Sequence, residues 1–222
     1  MPSQQHAMNI TFLGIGNVGS ALADNLAKLG HQVTIAARNP SSETVQAAQA
    51  KNATLAAKPI QEAVDEAEIV FLATPFPANE AALTSAGQLT GKIVVDCTNP
   101  VGAGLNHSLN SKTSGGEMAQ TLVPEAKVVK AFSISGYENF ENVAYPGYQA
   151  GDSVLKPAML IAGDDGDAKA TITGLCEQLG WETVDTGPLA MSLHLEHMAL
   201  LWIKLARVQG LGAEFTWAIL RR

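Results

Sequence analysis

Three glycines at Gly14-Ile15-Gly16-Asn17-Val18-Gly19 stand directly after an apolar, β-branched stretch (Asn9-Leu13) and directly before a helix-patterned one (Val18-Leu29). In that setting each glycine has a separate use. Gly14 permits a tight turn, Gly16 lets the backbone approach a pyrophosphate, and Gly19 allows the helix to pack closely on the strand. The helix N-terminus supplies free N–H groups and partial positive charge. The bland alternative is a glycine turn that holds nothing, but strand, turn, helix and second strand in succession favour a dinucleotide site.

The end of the second apolar stretch, Gln32-Ala36, bears on which dinucleotide. An NAD-preferring site places Asp or Glu there to accept from the ribose hydroxyls, yet no acid stands between Asp24 and Glu43. Ala37-Arg38-Asn39-Pro40 occupies the place instead. The planar fork of Arg38 suits a 2′-phosphate, and Asn39 with the Ser41-Ser42 hydroxyls can add neutral donors. The predicted cofactor is therefore NADP; the competing view of Arg38 is an ordinary surface arginine.

These residues need a scaffold. Apolar stretches recur at Ile69-Ala73, Lys92-Cys97, Val128-Phe132 and Ala158-Ala162, mostly with helix-periodic segments between them, and a weak strand at Thr54-Ala56 belongs at a sheet edge. Because parallel strands need crossover connections, the expected fold is α/β, a doubly wound, mostly parallel sheet. Ligands in such sheets sit outside the carboxyl ends of the strands. Ala73-Thr74-Pro75, Asn99-Pro100 and Ala131-Phe132-Ser133 are thus candidate pocket walls. Thr74 and Asn99 could hydrogen-bond ribose or carboxamide, or could be plain turn residues. Two stretches rich in Gly, Ser, Asn and Pro, 99–116 and 142–156, read as long loops. A strongly apolar helix from about Met191 to Val208 points to burial or to an oligomer interface, so a homodimer is expected. The predicted organisation is a dinucleotide-binding domain over 1–163 and a small, largely helical carboxy-terminal extension over 164–222, packed on it as one unit.

The composition excludes several classes. A chain of 222 residues with net charge −7 and 16% charged residues argues against nucleic-acid and anionic-membrane partners, leaving small molecules. No apolar run approaches the ~20 residues of a membrane span. The opening MPSQQHAMN lacks the apolar core of a secretory signal, so a cytoplasmic protein is expected. Cys97 and Cys176 show no CxxC spacing and read as core residues. No metal site is expected: His194 and His197 lack a converging third ligand.

The motifs GIGNVG, AARNP, LATP, VVDCTNP, VVKAFS, IAGDD and VDTGPL, in this order from Asn9 to about Gly210, resemble those of the NADP oxidoreductases that act on the deazaflavin coenzyme F-420. They are also similar to the cytosolic reductase domain of the six-transmembrane (STEAP-type) metalloreductases. The resemblance implies a Rossmann domain with a small carboxy-terminal extension, NADPH lying across the glycine turn, and a flavin or deazaflavin against the nicotinamide. Carried onto this chain, it assigns Gly16–Val18 to the pyrophosphate and Arg38 with its neighbours to the 2′-phosphate. Thr74-Pro75, Asn99-Pro100 and Ala131-Phe132 fall at the nicotinamide end. Ser133 stands where the family commonly has asparagine after KAF, and the 142–156 loop departs from the family pattern; both departures concern the second substrate. Relatives that share the opening motif, the hydroxyacid dehydrogenases and pyrroline-carboxylate reductases, continue into a larger helical domain than residues 164–222 allow.

On the acceptor side, Ser133, Tyr145 and Tyr148 are candidates, the tyrosines by stacking on a planar ring or, alternatively, as an exposed aromatic loop or dimer contact. The expected activity is hydride transfer between NADP(H) and a small redox acceptor, coenzyme F-420 or FMN. Alternatives are an NADP-binding redox sensor without turnover and a reductase of small carbonyl or imine substrates. No catalytic side chain is assigned, because Thr74, Asn99 and Ser133 offer no general acid or base and hydride transfer between rings needs none.

Overall fold

The computed structural model describes residues 6–145, 149–150 and 153–222. Six strands, β1 (Asn9–Leu13), β2 (Gln32–Ala37), β3 (Ala56–Pro59), β4 (Ile69–Leu72), β5 (Ile93–Asp96) and β6 (Lys127–Lys130), alternate with helices α1 (Asn17–Lys28), α2 (Glu43–Lys51), α3 (Ile60–Glu66), α4 (Asn79–Ala86) and α5 (Gly115–Leu122). There follow a one-turn helix α6 (Glu138–Glu141), a two-stranded ribbon β7 (Gln149–Ala150) with β8 (Ser153–Val154), then β9 (Ala158–Gly163), α7 (Gly166–Gln178), β10 (Glu182–Asp185) and α8 (Ser192–Ile203). The main sheet has eight strands in the order β10-β9-β6-β5-β4-β1-β2-β3.

Strands β1 to β6 pair in parallel. Their central members read as continuous apolar runs because both faces are covered; all of Ile69-Val70-Phe71-Leu72 is buried. Helices α1, α2 and α7 cover one face. There Phe12 stacks on Phe71 at 4.7 Å between ring centroids, and Phe132, Phe140 and Trp181 continue the aromatic contact. Helices α3, α4 and α5 cover the other face. The edge strand falls slightly later than Thr54-Ala56. It ends in Pro59, whose missing N–H is tolerated at an edge.

The sheet reverses once. β9 pairs antiparallel with β6, through Val129–Gly163 and Lys130–Ala162. Among its described residues the connection between them holds one helical turn and the short ribbon, with no crossover helix to return the chain to the starting end of the sheet. α7 then makes a crossover to β10, parallel to β9. Asp164 and Asp165 consequently lie at the edge opposite the glycine turn. Asp165 caps α7 by accepting from the Ala168 N–H at 2.8 Å.

Residues 164–222 thus supply α7, β10 and α8, with β10 extending the same sheet. The single helix expected over Met191–Val208 is instead α8 followed by a wider π-turn at Lys204–Val208. Beyond it the chain straps back over the loop after β6. Trp202 Nε1 donates to the Phe215 carbonyl (2.8 Å) and Trp217 Nε1 to the Ile134 carbonyl (2.9 Å). Among the described residues no helix is long and apolar enough to cross a membrane.

Candidate functional site

The glycine turn leaves β1 at Gly14, whose φ of +95° disfavours a side chain; a Cβ there would also lie 2.7 Å from the Ala73 backbone. A Cβ on Gly19 would lie 2.2 Å from the Gly14 carbonyl oxygen, so the first turn of α1 can seat on the loop only as glycine. Gly16 differs. Nothing lies within 4 Å of its would-be Cβ, and that open space faces an α1 N-terminus with no capping side chain and no acid in its first turn. Uncapped N–H groups beside a side-chain-free backbone are suited to hold a phosphate.

A cleft of 270 Å³ joins this turn to the end of β2 and to α3 and α4. Gly14, Ile15, Ala37, exposed Arg38 and Thr74 line it, with Ser42 beside the arginine. Asn39 accepts from the Ser41 N–H (3.0 Å), which shapes the turn beneath Arg38 and leaves the Asn39 amide N–H₂ outward. Asn17 is exposed at the start of α1 and Val18 half-buried, while Pro40 continues the chain past the arginine.

At the ends of β5 and β6, Asn99 Nδ2 donates to the Ser133 carbonyl at 2.8 Å. That bond ties the two strand exits together. Asn99 Oδ1 and Ser133 Oγ, both buried, have no partner among the described residues. Buried polar atoms are rarely left so, and two at the carboxyl ends of adjacent parallel strands mark a place for a polar ligand group. Ala131 and Phe132 are fully buried, and the Phe132 ring belongs to the aromatic core, so these residues offer backbone only. Phe132 holds φ at +52°, a conformation costly for a bulky side chain, and it turns the chain sharply out of β6. Pro100 is buried and Pro75 opens the turn into α4. The other acceptor-side candidates separate from this group. Tyr145 lines a cavity of 140 Å³ against Phe215 and Trp217 that shares no residue with the cleft, and its hydroxyl donates to Asn139. Burial pushes that phenol up to about 12. Tyr148 lies outside the described residues.

Sequence reasoning missed a fully buried ionic cluster behind the strand ends. Lys130, the last residue of β6, spends its three ammonium protons on Asp96 Oδ2 (2.9 Å), the Thr98 carbonyl (2.6 Å) and Glu196 Oε1 (2.8 Å). All three ionic side chains are 0% exposed. Burial pulls the ammonium down, but the Asp96 and Glu196 charges together outweigh it and hold Lys130 above its usual range. Glu196, on α8, also accepts from the Gly115 N–H (2.8 Å) and meets His107 Nε2 (2.8 Å). His107 Nδ1 accepts from the Ser111 N–H, which leaves the ring proton on Nε2, facing Glu196. A larger, shallow hollow of 570 Å³ lies outside His107 and shares no residue with the cleft. Among the described residues no group of three or more His, Cys, Asp or Glu side chains could hold a metal ion.

Comparison with known proteins agrees with this geometry. The family described as coenzyme F-420-dependent NADP oxidoreductase matches residues 9–100. The metalloreductase STEAP3 of Rattus norvegicus is 30% identical over 197 residues, which are 88% of this chain but 37% of that protein, so the chain spans little more than a third of that relative. The F-420-dependent NADP reductase of Methanothermobacter marburgensis is 28% identical over 94% of this chain and 98% of its own. A solved structure from an Arthrobacter species, described as a proposed F-420-dependent NADP reductase, superposes with a TM-score of 0.82 at 32% identity, covering 97% of this chain and 100% of that one. The glycine turn, the uncapped α1 N-terminus and the orphaned atoms at Asn99 and Ser133 fit NADP(H). The chain belongs to the family of coenzyme F-420-dependent NADP oxidoreductases and is an NADP-dependent oxidoreductase.

Proposed function

We propose that the enzyme transfers hydride between NADP(H) and a planar flavin-like acceptor, with coenzyme F-420 the first candidate and FMN its nearest competitor. One observation carries this choice over reduction of a carbonyl or imine. The ionisable side chains behind the strand ends, Asp96 and Lys130 with Glu196 of α8, are wholly buried, both carboxylates being paired with the lysine. The groups left to face a ligand, Thr74, Asn99 and Ser133, include no general acid. Carbonyl and imine reduction usually draws about 10²–10⁴-fold from a positioned acid. Hydride transfer between two rings draws on alignment and exclusion of water instead.

In this reading the N–H groups of Gly16 to Val18 hold the pyrophosphate, and Arg38, with Asn39 and Ser42, holds the 2′-phosphate. Thr74 and Asn99 orient the nicotinamide riboside, the Ala131-Phe132 backbone borders it, and Ser133 faces the acceptor. Bound NADPH supplies a hydride, two electrons and one proton, and the reduced acceptor takes its balancing proton from water. The names of the Methanothermobacter and Arthrobacter relatives favour F-420, and that of the rat relative, a metalloreductase, places a ferric acceptor in the test. The enzyme is further proposed to act in the cytoplasm as a homodimer.

The test is NADPH oxidation, followed anaerobically against F-420, FMN, a quinone, a ferric chelate and a panel of ketones and imines. The expected result is fastest turnover with F-420 or FMN. Faster turnover of an imine or ketone, or binding of NADPH with negligible oxidation by every acceptor, would overturn the proposal.

A further inference from the structure

The strand-end hydrogen bonds form an unbroken chain with a single allowed direction. Asp96 Oδ1 accepts both the Thr98 N–H (2.9 Å) and the Thr98 hydroxyl (2.7 Å), while Oδ2 takes the Lys130 ammonium. An ionised carboxylate only accepts, so the Thr98 hydroxyl proton is committed to Asp96. Thr98 Oγ1 must then accept from its other neighbour, which is Asn79 Nδ2 at 2.8 Å. With its amide nitrogen turned to Thr98, the 4%-exposed Asn79 presents Oδ1 to Thr74, whose hydroxyl donates to it at 2.8 Å. Thr74 lines the cleft. Its proton is spent inward, so only its lone pairs face the cleft.

We infer that Asp96, through Thr98 and Asn79, is a positioning residue that makes Thr74 an obligatory hydrogen-bond acceptor toward the dinucleotide. The group that meets Thr74 is therefore a donor, a ribose hydroxyl or carboxamide N–H, and a phosphate oxygen is refused there. Asn99 repeats the pattern independently. Its Nδ2 is spent on the Ser133 carbonyl, so its unpartnered atom is again an acceptor. Two acceptors after β4 and β5, set against the donors of the Gly16 turn and Arg38, sort the dinucleotide: phosphates to the donors, riboside to the acceptors. This inference rests on the proposal that NADP(H) occupies the cleft.

Replacing Asp96 with Asn tests it, because the change is isosteric and leaves Lys130 still paired with Glu196. The introduced amide would keep its oxygen on Lys130 and turn its nitrogen to the Thr98 hydroxyl, at the cost of the acceptor that the Thr98 N–H now has. That reverses each following bond and points the Thr74 hydroxyl proton into the cleft. The measurement is a double-mutant cycle on the dissociation constant for NADP⁺, using the full chain. Thr74→Val should weaken binding about 3–10-fold, the worth of one neutral hydrogen bond, and Thr74→Ser should restore it to within about 2-fold. Asp96→Asn alone should weaken binding at least as much as Thr74→Val, yet change it less than about 2-fold when Thr74 is already Val. Additive losses in the cycle would overturn the inference, as a purely structural role for Asp96 predicts. So would an unchanged dissociation constant for Thr74→Val. If Asp96→Asn folds poorly, Thr98→Val cuts the chain by removing one hydroxyl donor from Asp96 while leaving Lys130 paired with both carboxylates, and it must show the same non-additivity. Arg38→Ala, measured alongside, separates the two levels: weakened NADP⁺ binding there with no effect at Thr74 rejects the inference while leaving the proposed cleft occupied.

Discussion

Arg38 illustrates what a single position can carry. It follows a strand, no acid accompanies it, and it is exposed on the wall of the cleft that the glycine turn opens. A guanidinium–phosphate contact is worth about 1.5–3 kcal/mol, one to two decades of affinity. NADPH should therefore bind roughly 10–100-fold tighter than NADH, and Arg38→Ala should remove most of that preference while leaving NADH affinity nearly unchanged. Titration of both dinucleotides by nicotinamide fluorescence checks this, and equal affinities in the wild type would remove the phosphate role from Arg38. The arginine's place on the cleft wall was legible because its local setting, the end of a strand beside a glycine turn, fixes where it stands. Lys130 was not: its partners Asp96 and Glu196 stand 34 and 66 residues away. A lysine at a strand end reads naturally as solvent-facing. The available signal was its company, since Val128-Val129 precede it and Ala131-Phe132 follow it, an apolar setting in which a charge must be paired.

At the scale of elements, periodicity located β1 to β6 and their helices because burial on both faces writes itself as apolar runs. It could not reveal that β9 runs backward. Strand direction depends on what the connection packs against, and a short ribbon leaves no periodic trace. α8 shows the same division. Its apolar character was plain, but its cause was mixed. Leu195, Ala199 and Trp202 are buried inside the chain, against the sheet end and the carboxy-terminal strap, while Leu201, Val208 and Leu211 are 49%, 60% and 63% exposed. Exposed apolar side chains of this kind suit contact with a second copy of the chain, as the proposed homodimer requires. Light scattering at micromolar concentration should give about twice 23.2 kDa, and Leu201→Asp with Val208→Asp should halve that mass while preserving the fold. A wild-type monomer would leave intramolecular burial as the whole explanation of α8.

Over the whole molecule, the groups displaced from their ordinary range include several that share one sign. Burial raises Cys176 from 9.0 to about 12 and lifts Cys97 well above 9.0, and the paired carboxylates hold Lys130 above 10.5. In each case the folded chain keeps a proton that the unfolded chain releases first. A folded pKa above the unfolded one gives stability that is complete below the unfolded value and is lost as pH rises toward the folded one. The thiols therefore set the first alkaline window, starting near 9 and, for Cys176, ending near 12. Lys130 adds its loss only above 10.5. Within the thiol window each group contributes a slope of up to about 1.4 kcal/mol per pH unit. Urea unfolding between about pH 7.5 and 10.5 should show a flat stability near neutrality and a fall above about 9. The Cys97→Ala, Cys176→Ala double variant should be less stable at about pH 8, because two buried side chains are shortened, yet should lose stability less steeply as pH rises. An equally steep fall in the double variant would place the alkaline weakness in Tyr145 instead, whose phenol burial raises from 10.0 to about 12. The same burial predicts that neither thiol reacts with a disulfide reagent at about pH 8 until the chain unfolds, so slow labelling that tracks global unfolding is the companion result, and rapid labelling of either cysteine in the native protein would contradict the thiol assignment directly.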